Sequence, residues 1–166
     1  VNIDNEAYRC IGNVCWTCKA FANSAFYRIF GIKMRESGNQ ISDVYSVNSL
    51  IATAKTGDYI ACFNSGGSEV HAGIYLRGEN GGFYLYESNV PNIPNRVSYG
   101  EYRHTGTGDG WSWYRVFHAN NYDTINASTP DVSYETYGEG GSRGSVSETN
   151  ATLYSVIHTS ARSNIW

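Results

Sequence analysis

The spacing of apolar residues changes once along this chain, and that change limits the fold more than any other feature. Across residues 18–30, Phe21, Ala25 and Ile29 recur at spacing four, and Ala22, Phe26 and Phe30 form the neighbouring row. This predicts a helix, with Gly31 suited to its C-terminus. A second, shorter helix is predicted across "VNSLIATAK", ending before the turn "TGD". From Tyr59 the pattern becomes one of short aromatic and β-branched runs: "YIACF", "HAGIYL", "GFYLYES", "RVSYGEY" and "WSWYRVF". Gly, Asn and Pro clusters separate them, and "RGENGG" between the second and third reads as a hairpin loop. A helix followed by an antiparallel meander of about five or six strands is an α+β architecture.

After Phe117 the texture shifts to "NNYDTINASTPD" and then to the linker-like "YGEGGSRGSVSETN". Residues 1–120 are therefore expected to hold the main domain. Residues 121–166 form a Gly/Ser/Thr/Asn-rich extension, with "ATLYSVI" as one further strand. The chain of 166 residues is long enough to bury a core and short enough for one domain. Asn126-Ala-Ser and Asn150-Ala-Thr match the glycosylation sequon, which carries meaning only in a eukaryotic source.

Charge narrows the partners. Charged residues make up 16% of the chain, well below the usual quarter, and the net charge is −3. That leaves no basic footprint for nucleic acid. No apolar run approaches the roughly 20 residues that cross a bilayer. The opening "VNIDNEAY" lacks Met, which fits either a mature N-terminus after signal removal or a cut within a longer chain. The abundance of Tyr, Gly, Ser, Thr and Asn favours a strand- and turn-rich extracellular protein over a cytosolic enzyme.

The cysteines raise the sharper question. Cys10, Cys15 and Cys18 stand at C-x4-C-x2-C, with Cys62 far downstream. The spacing resembles a plant-type iron–sulfur loop, but bulky Ile11, Val14 and Trp16 fill positions where a cluster loop turns its amides toward sulfur. The structural uses of four cysteines are disulfides or buried apolar thiols, and an even count in a secreted chain favours bridges. Cys18 differs from the rest because it begins an amphipathic helix, where the dipole and free N–H groups stabilise a thiolate. A catalytic thiol also needs a base and a group to orient that base. His71 opens an apolar strand in "EVHAGIYL", and Glu87 and Asn89 share one face of the next strand in "YLYESNV". If the two strands pair through "RGENGG", His71 lies across from Glu87 and Asn89, and thiol, imidazole and polar orienter converge.

On these residues the chain resembles the papain-like cysteine hydrolases, and among them the CHAP and NlpC-type cell-wall amidases and endopeptidases. "CWTCKAF" is similar to the papain-type run in which one Cys precedes the nucleophilic Cys by three positions. "TGDYIACF…VHAGIYL" resembles the Gly-Asp strand start and His-Gly-Ile-Tyr strand of the wall-lytic families, and "YESN" resembles the CHAP Glu-x-Asn signature. The resemblance covers residues 8–118 and departs from NlpC-type proteins in lacking Asp-Cys-Ser-Gly at the nucleophile. It implies a papain-like domain over 1–120, a catalytic set of Cys18, His71, Glu87 and Asn89, and no cofactor or metal. It also implies a bridging cysteine three residues before the nucleophile, so Cys15 is expected to pair with Cys62 or with Cys10. Asn13 or Tyr8 would supply the second oxyanion donor beside the Cys18 backbone N–H. The expected activity is hydrolysis of amides in peptidoglycan peptides, by a monomer of bacterial or phage origin. The competing class is a non-catalytic cell-wall or protein-binding module; the aromatic- and glycine-rich "SYGEYRHTGTGDGWSW" suits either a substrate groove or a carbohydrate-binding face.

Overall fold

A computed structural model describes residues 17–89 and 97–128, together with the backbone of four two-residue segments near the N-terminus. Those segments form two small antiparallel ribbons. β1 (Asn2–Ile3) pairs with β2 (Glu6–Ala7), and β3 (Cys10–Ile11) pairs with β4 (Val14–Cys15). The chain then enters α1 (Cys18–Phe30), β5 (Gln40–Val44), α2 (Val47–Thr53), β6 (Tyr59–Phe63), β7 (Glu69–Glu79), β8 (Gly82–Ser88), β9 (Val97–Tyr99), β10 (Trp113–His118) and α3 (Tyr122–Ser128). Six strands make one antiparallel sheet in the order β5-β10-β6-β7-β8-β9. The protein is α+β.

Local chemistry sets the ends of α1. The Thr17 hydroxyl accepts a hydrogen bond from the Ala20 N–H at 2.8 Å, a cap typically worth about 1 kcal/mol. At the other end Gly31 takes φ 71° and donates its N–H to the Tyr27 carbonyl, a left-handed stop that glycine adopts without a Cβ penalty. The β7–β8 hairpin turns on Asn80 and Gly81, both at positive φ (51° and 75°), as a two-residue type I′ connection requires.

Both faces of the central sheet are covered, which explains why "YIACF" is apolar at every position. On one face, Phe21, Phe26, Ile29 and Phe30 of α1 pack against Tyr59, Ala61, Ala72, Ile74, Tyr86 and Phe117. On the other face, Leu50 of α2 closes over Ile60, Cys62, Tyr75, Phe83, Leu85, Trp111 and Tyr114. The alternation along β6 decides the fate of Cys62. It points into this second layer, fully buried, and its thiol is free. That corrects the expected Cys15–Cys62 bridge: Cys62 is used as a small apolar core side chain. The other expected partner, Cys10, stands directly opposite Cys15 in the β3–β4 register.

From α1 onward, β5 and α3 have no counterpart in the sequence reading. β5 is an outer strand held by its pairing with β10 and by the forked Arg115–Asp43 ion pair at 2.7 and 2.9 Å. α3 falls in "NNYDTINASTPD", at the start of the stretch read as a Gly/Ser/Thr/Asn-rich extension. Its Tyr122 is buried in the α1-side core and donates its hydroxyl to the Thr56 carbonyl at 2.9 Å. Residues 129–166, with "ATLYSVI" and Asn150, lie outside the described residues, as does the side chain of Asn126. Among the described residues no helix is long and apolar enough to cross a membrane.

Candidate active site

The start of α1 lies beside the start of β7. Lys19 on the first helical turn sits 3.5 Å from Glu69 at the first position of β7. Half-buried Cys18 hydrogen-bonds to His71. Burial pushes the Cys18 thiol up, but the hydrogen bond and charge of His71, joined by the backbone N–H groups of Ala72 and Lys19, outweigh it and hold the thiol below its ordinary value. The helix start adds to the same direction.

His71 is itself buried, and its Nε2 lies 2.8 Å from Glu87 Oε2. An ionised carboxylate can only accept, so Nε2 carries the proton and Nδ1 is left for the thiol. Desolvation lowers the His71 pKa, yet hydrogen bonds to Cys18 and Glu87 and the charge of Glu87 prevail and raise it to about 9. The β7–β8 register makes this contact feasible. Gly73, not His71, is paired with Glu87, so the carboxylate reaches the imidazole diagonally across the ladder. A Cβ on Gly73 would press on Leu85 at 3.0 Å and on the Glu87 Cβ at 3.3 Å. Glycine at 73 therefore leaves room for the Leu85 and Glu87 side chains beside it. Asn89 stands one residue beyond the end of β8 with φ 56°, while the bond to the His71 ring is made by Glu87.

The site extends further than Cys18, His71 and Glu87. The second oxygen of Glu87, Oε1, lies 2.7 Å from His104 Nε2, and His104 Nδ1 lies 2.9 Å from Asp109 Oδ1. Glu87 and His104 are both buried, and Asp109 is anchored by accepting from the Thr105 and Gly106 N–H groups through its other oxygen. Burial would raise the Glu87 pKa, but hydrogen bonds from His104 and His71 bring it below the ordinary carboxylate value. His104 is lowered by desolvation and raised more strongly by Asp109 and Glu87, to about 9. Trp111 covers this row of groups. Its ring stacks on His71 at 5.2 Å between centroids and 9° between planes, and lies 4.7 Å from His104.

Sequence reasoning placed Cys18, His71 and Glu87 in one site, and the structure brings them together. It missed His104 and Asp109, which lie in the segment read as either a substrate groove or a carbohydrate-binding face. The available signal was the spacing His-x4-Asp across "HTGTGDG": glycines at positive φ at 106 and 110 fold the loop so that Asp109 returns to His104. The neighbouring residues Thr105–Thr107 and Gly110–Ser112 do line a cavity of about 700 Å³ with Tyr45, Ser46, Asn48 and Tyr114, but Cys18 is not among its walls. The side chains of Tyr8 and Asn13, the expected oxyanion donors, lie outside the described residues. Among the described residues no group of three or more His, Cys, Asp and Glu side chains is arranged to hold a metal ion. Compared with protein-family profiles, curated proteins and solved structures, the chain matches none.

The two described thiols should react very differently. Iodoacetamide near neutral pH is expected to label Cys18 within minutes and Cys62 at least about 10³-fold more slowly. Burial pushes the Cys62 thiol well up, and reagent reaches it only when the core opens. Peptide mapping after timed alkylation measures both rates. Faster labelling of Cys62 would overturn the assignment of Cys18 as the activated thiol.

Proposed function

We propose that the protein is a papain-like cysteine hydrolase that cleaves amide bonds in peptidoglycan peptides, with Cys18 as nucleophile, His71 as base and acid, and Glu87 as the group that orients His71. The observation that carries this reading is the hydrogen-bonded row of a helix-start thiol, an imidazole and a buried carboxylate. His71 takes the Cys18 proton on Nδ1, and the thiolate attacks the amide carbonyl carbon. The first-turn N–H of Cys18 has no acceptor within the helix and faces the developing oxyanion. As the C–N bond breaks, the amine leaves with the proton held by His71. Water, deprotonated by the same nitrogen, then hydrolyses the thioester and restores the thiol. No step requires a metal or cofactor.

The substrate class rests on the resemblance of the Gly-Asp, His-Gly-Ile-Tyr and Glu-x-Asn runs to wall-lytic enzymes, and a secreted or wall-associated location goes with it. The Gly57-Asp58 pair also has a plain structural use. Asp58 accepts from the Lys55 N–H and is bonded to His118 Nδ1 at 2.6 Å, tying the start of β6 to the end of β10.

Digestion of purified sacculi by the protein before and after alkylation of Cys18, with mass spectrometry of released fragments, tests the reading. New amine and carboxyl ends made only by the unmodified protein are expected. Sacculi left uncut while denatured casein is cleaved would keep the mechanism and replace the substrate. Binding to sacculi with no new ends from either sample would favour the binding-module reading.

A further inference from the structure

His104 is a buried side chain between two acceptors. Glu87 Oε1 lies 2.7 Å from its Nε2 and Asp109 Oδ1 lies 2.9 Å from its Nδ1. Neither carboxylate can donate a hydrogen bond while ionised, so both ring nitrogens must carry protons, and the ring is an imidazolium. A carboxylate with 0% exposure at position 87 needs such compensation, because one cation shared with a thiolate would leave the row with excess buried negative charge. We propose that His104 is a positioning residue, a fixed imidazolium clamped by Asp109 that holds Glu87 in place and offsets its charge at His71. This deepens the hydrolase reading and rests on Cys18 and His71 being the reactive pair.

The sign of the effect follows from charge alone. Cys18 and His71 form the reactive ion pair only between the pH at which the thiol ionises and the pH at which the imidazolium loses its proton. A nearby cation lowers both limits, so removing it raises both. The groups around His104 are His71 on β7, Glu87 on β8, Cys62 on β6, Tyr114 on β10 and Asp109 in the single 3-10 turn Thr107–Asp109, with Glu69, Lys19 and Tyr59 near Cys18. Burial keeps Cys62, Tyr114 and Tyr59 neutral through the working range, while Glu87 and Asp109 stay ionised. Cys62, Tyr114, Tyr59, Glu87 and Asp109 therefore keep a fixed charge while Cys18, His71 and His104 titrate. The rings of His71 and His104 are 6.3 Å apart between centroids, close enough for a shift of about one pH unit even with strong screening.

The test uses His104→Gln, which keeps one N–H donor for Glu87 and removes the charge. Cys18 ionisation is followed by thiolate absorbance and by iodoacetamide rate against pH, neither of which needs a substrate. The expected result is an upward move of both limits by about one unit, with a correspondingly slower alkylation at pH below the acid limit. Unmoved limits in a folded His104→Gln protein would reduce His104 to a packing residue and overturn the proposal. Ring ¹⁵N spectra of the unmutated protein cover the case in which this variant does not fold. A His104 ring protonated at both nitrogens up to at least pH 8 is expected, and a neutral ring at pH 7 would also overturn the proposal. These titrations stand apart from sacculus digestion, so loss of the hydrolase reading and loss of the His104 role are separately visible.

Discussion

Cys18→Ala is expected to fold normally and to release sacculus fragments at least about 10⁴-fold more slowly than the unmutated protein, the scale seen when a nucleophile is deleted from a preorganised site. The physical case for normal folding is local. Cys18 is the first residue of α1, half-buried, and the cap is made by Thr17 rather than by Cys18 itself. Alanine suits a helix at least as well, so the stability change should stay within about 1 kcal/mol. Cys18→Ser should fall nearly as far. A hydroxyl does not ionise in this pH range, so the pre-formed ion pair with His71 is lost even though an oxygen stands where the sulfur was. Fragment release measured by mass spectrometry, beside thermal unfolding of the same samples, separates chemistry from folding. A Cys18→Ala protein that cuts at even a tenth of the normal rate would remove Cys18 as nucleophile.

What could be read from the sequence and what could not divide along physical lines. α1 was legible along its length, since its period and its terminal Gly31 act within a few residues of one another, while the Thr17 cap came only with the structure. The β7–β8 hairpin was legible for the same reason: Asn80-Gly81 is a turn signal that needs no distant partner. β5 was not legible. Its Ile41 is 55% exposed, and what makes it a strand is an edge of β10 more than seventy residues away. α3 was hidden by composition, because only Tyr122, with partly buried Ile125 beside it, packs on the core from a largely polar run. In the site, strand alternation correctly put His71 and Glu87 on a common face but left Glu87 and Asn89 equivalent. The diagonal approach over Gly73 brings Glu87 to the His71 ring, and that depends on a side-chain absence whose meaning appears only once the register is known. His104 is placed by its own backbone bridge to Phe83, a long-range pairing with no local pattern behind it.

Glu87→Gln isolates the orienting role of the carboxylate. The side chain keeps its length and its place in a fully buried position, but one oxygen becomes an NH₂ group. His71 Nε2 now faces either an amide oxygen or an amide donor, and His104 faces the other. With His104 held protonated by Asp109, the amide oxygen is drawn to His104 Nε2, and the NH₂ group turns to His71. A donor opposite Nε2 forces that nitrogen to become the acceptor and moves the ring proton to Nδ1, the atom that must take the proton of Cys18. The base is then blocked by its own tautomer. Comparable replacements of a triad carboxylate by its amide lower turnover by about 10⁴-fold with the geometry otherwise intact, and a loss of that order is expected here. Alkylation of Cys18 should slow as well, because the thiolate loses the imidazolium that Glu87 sustains. Removal of a buried negative charge between two imidazoles also predicts a drop in the histidine pKa values from about 9, read by NMR titration of the two rings. A Glu87→Gln protein that keeps both normal turnover and normal histidine titration would show that the carboxylate serves the fold and not the reaction.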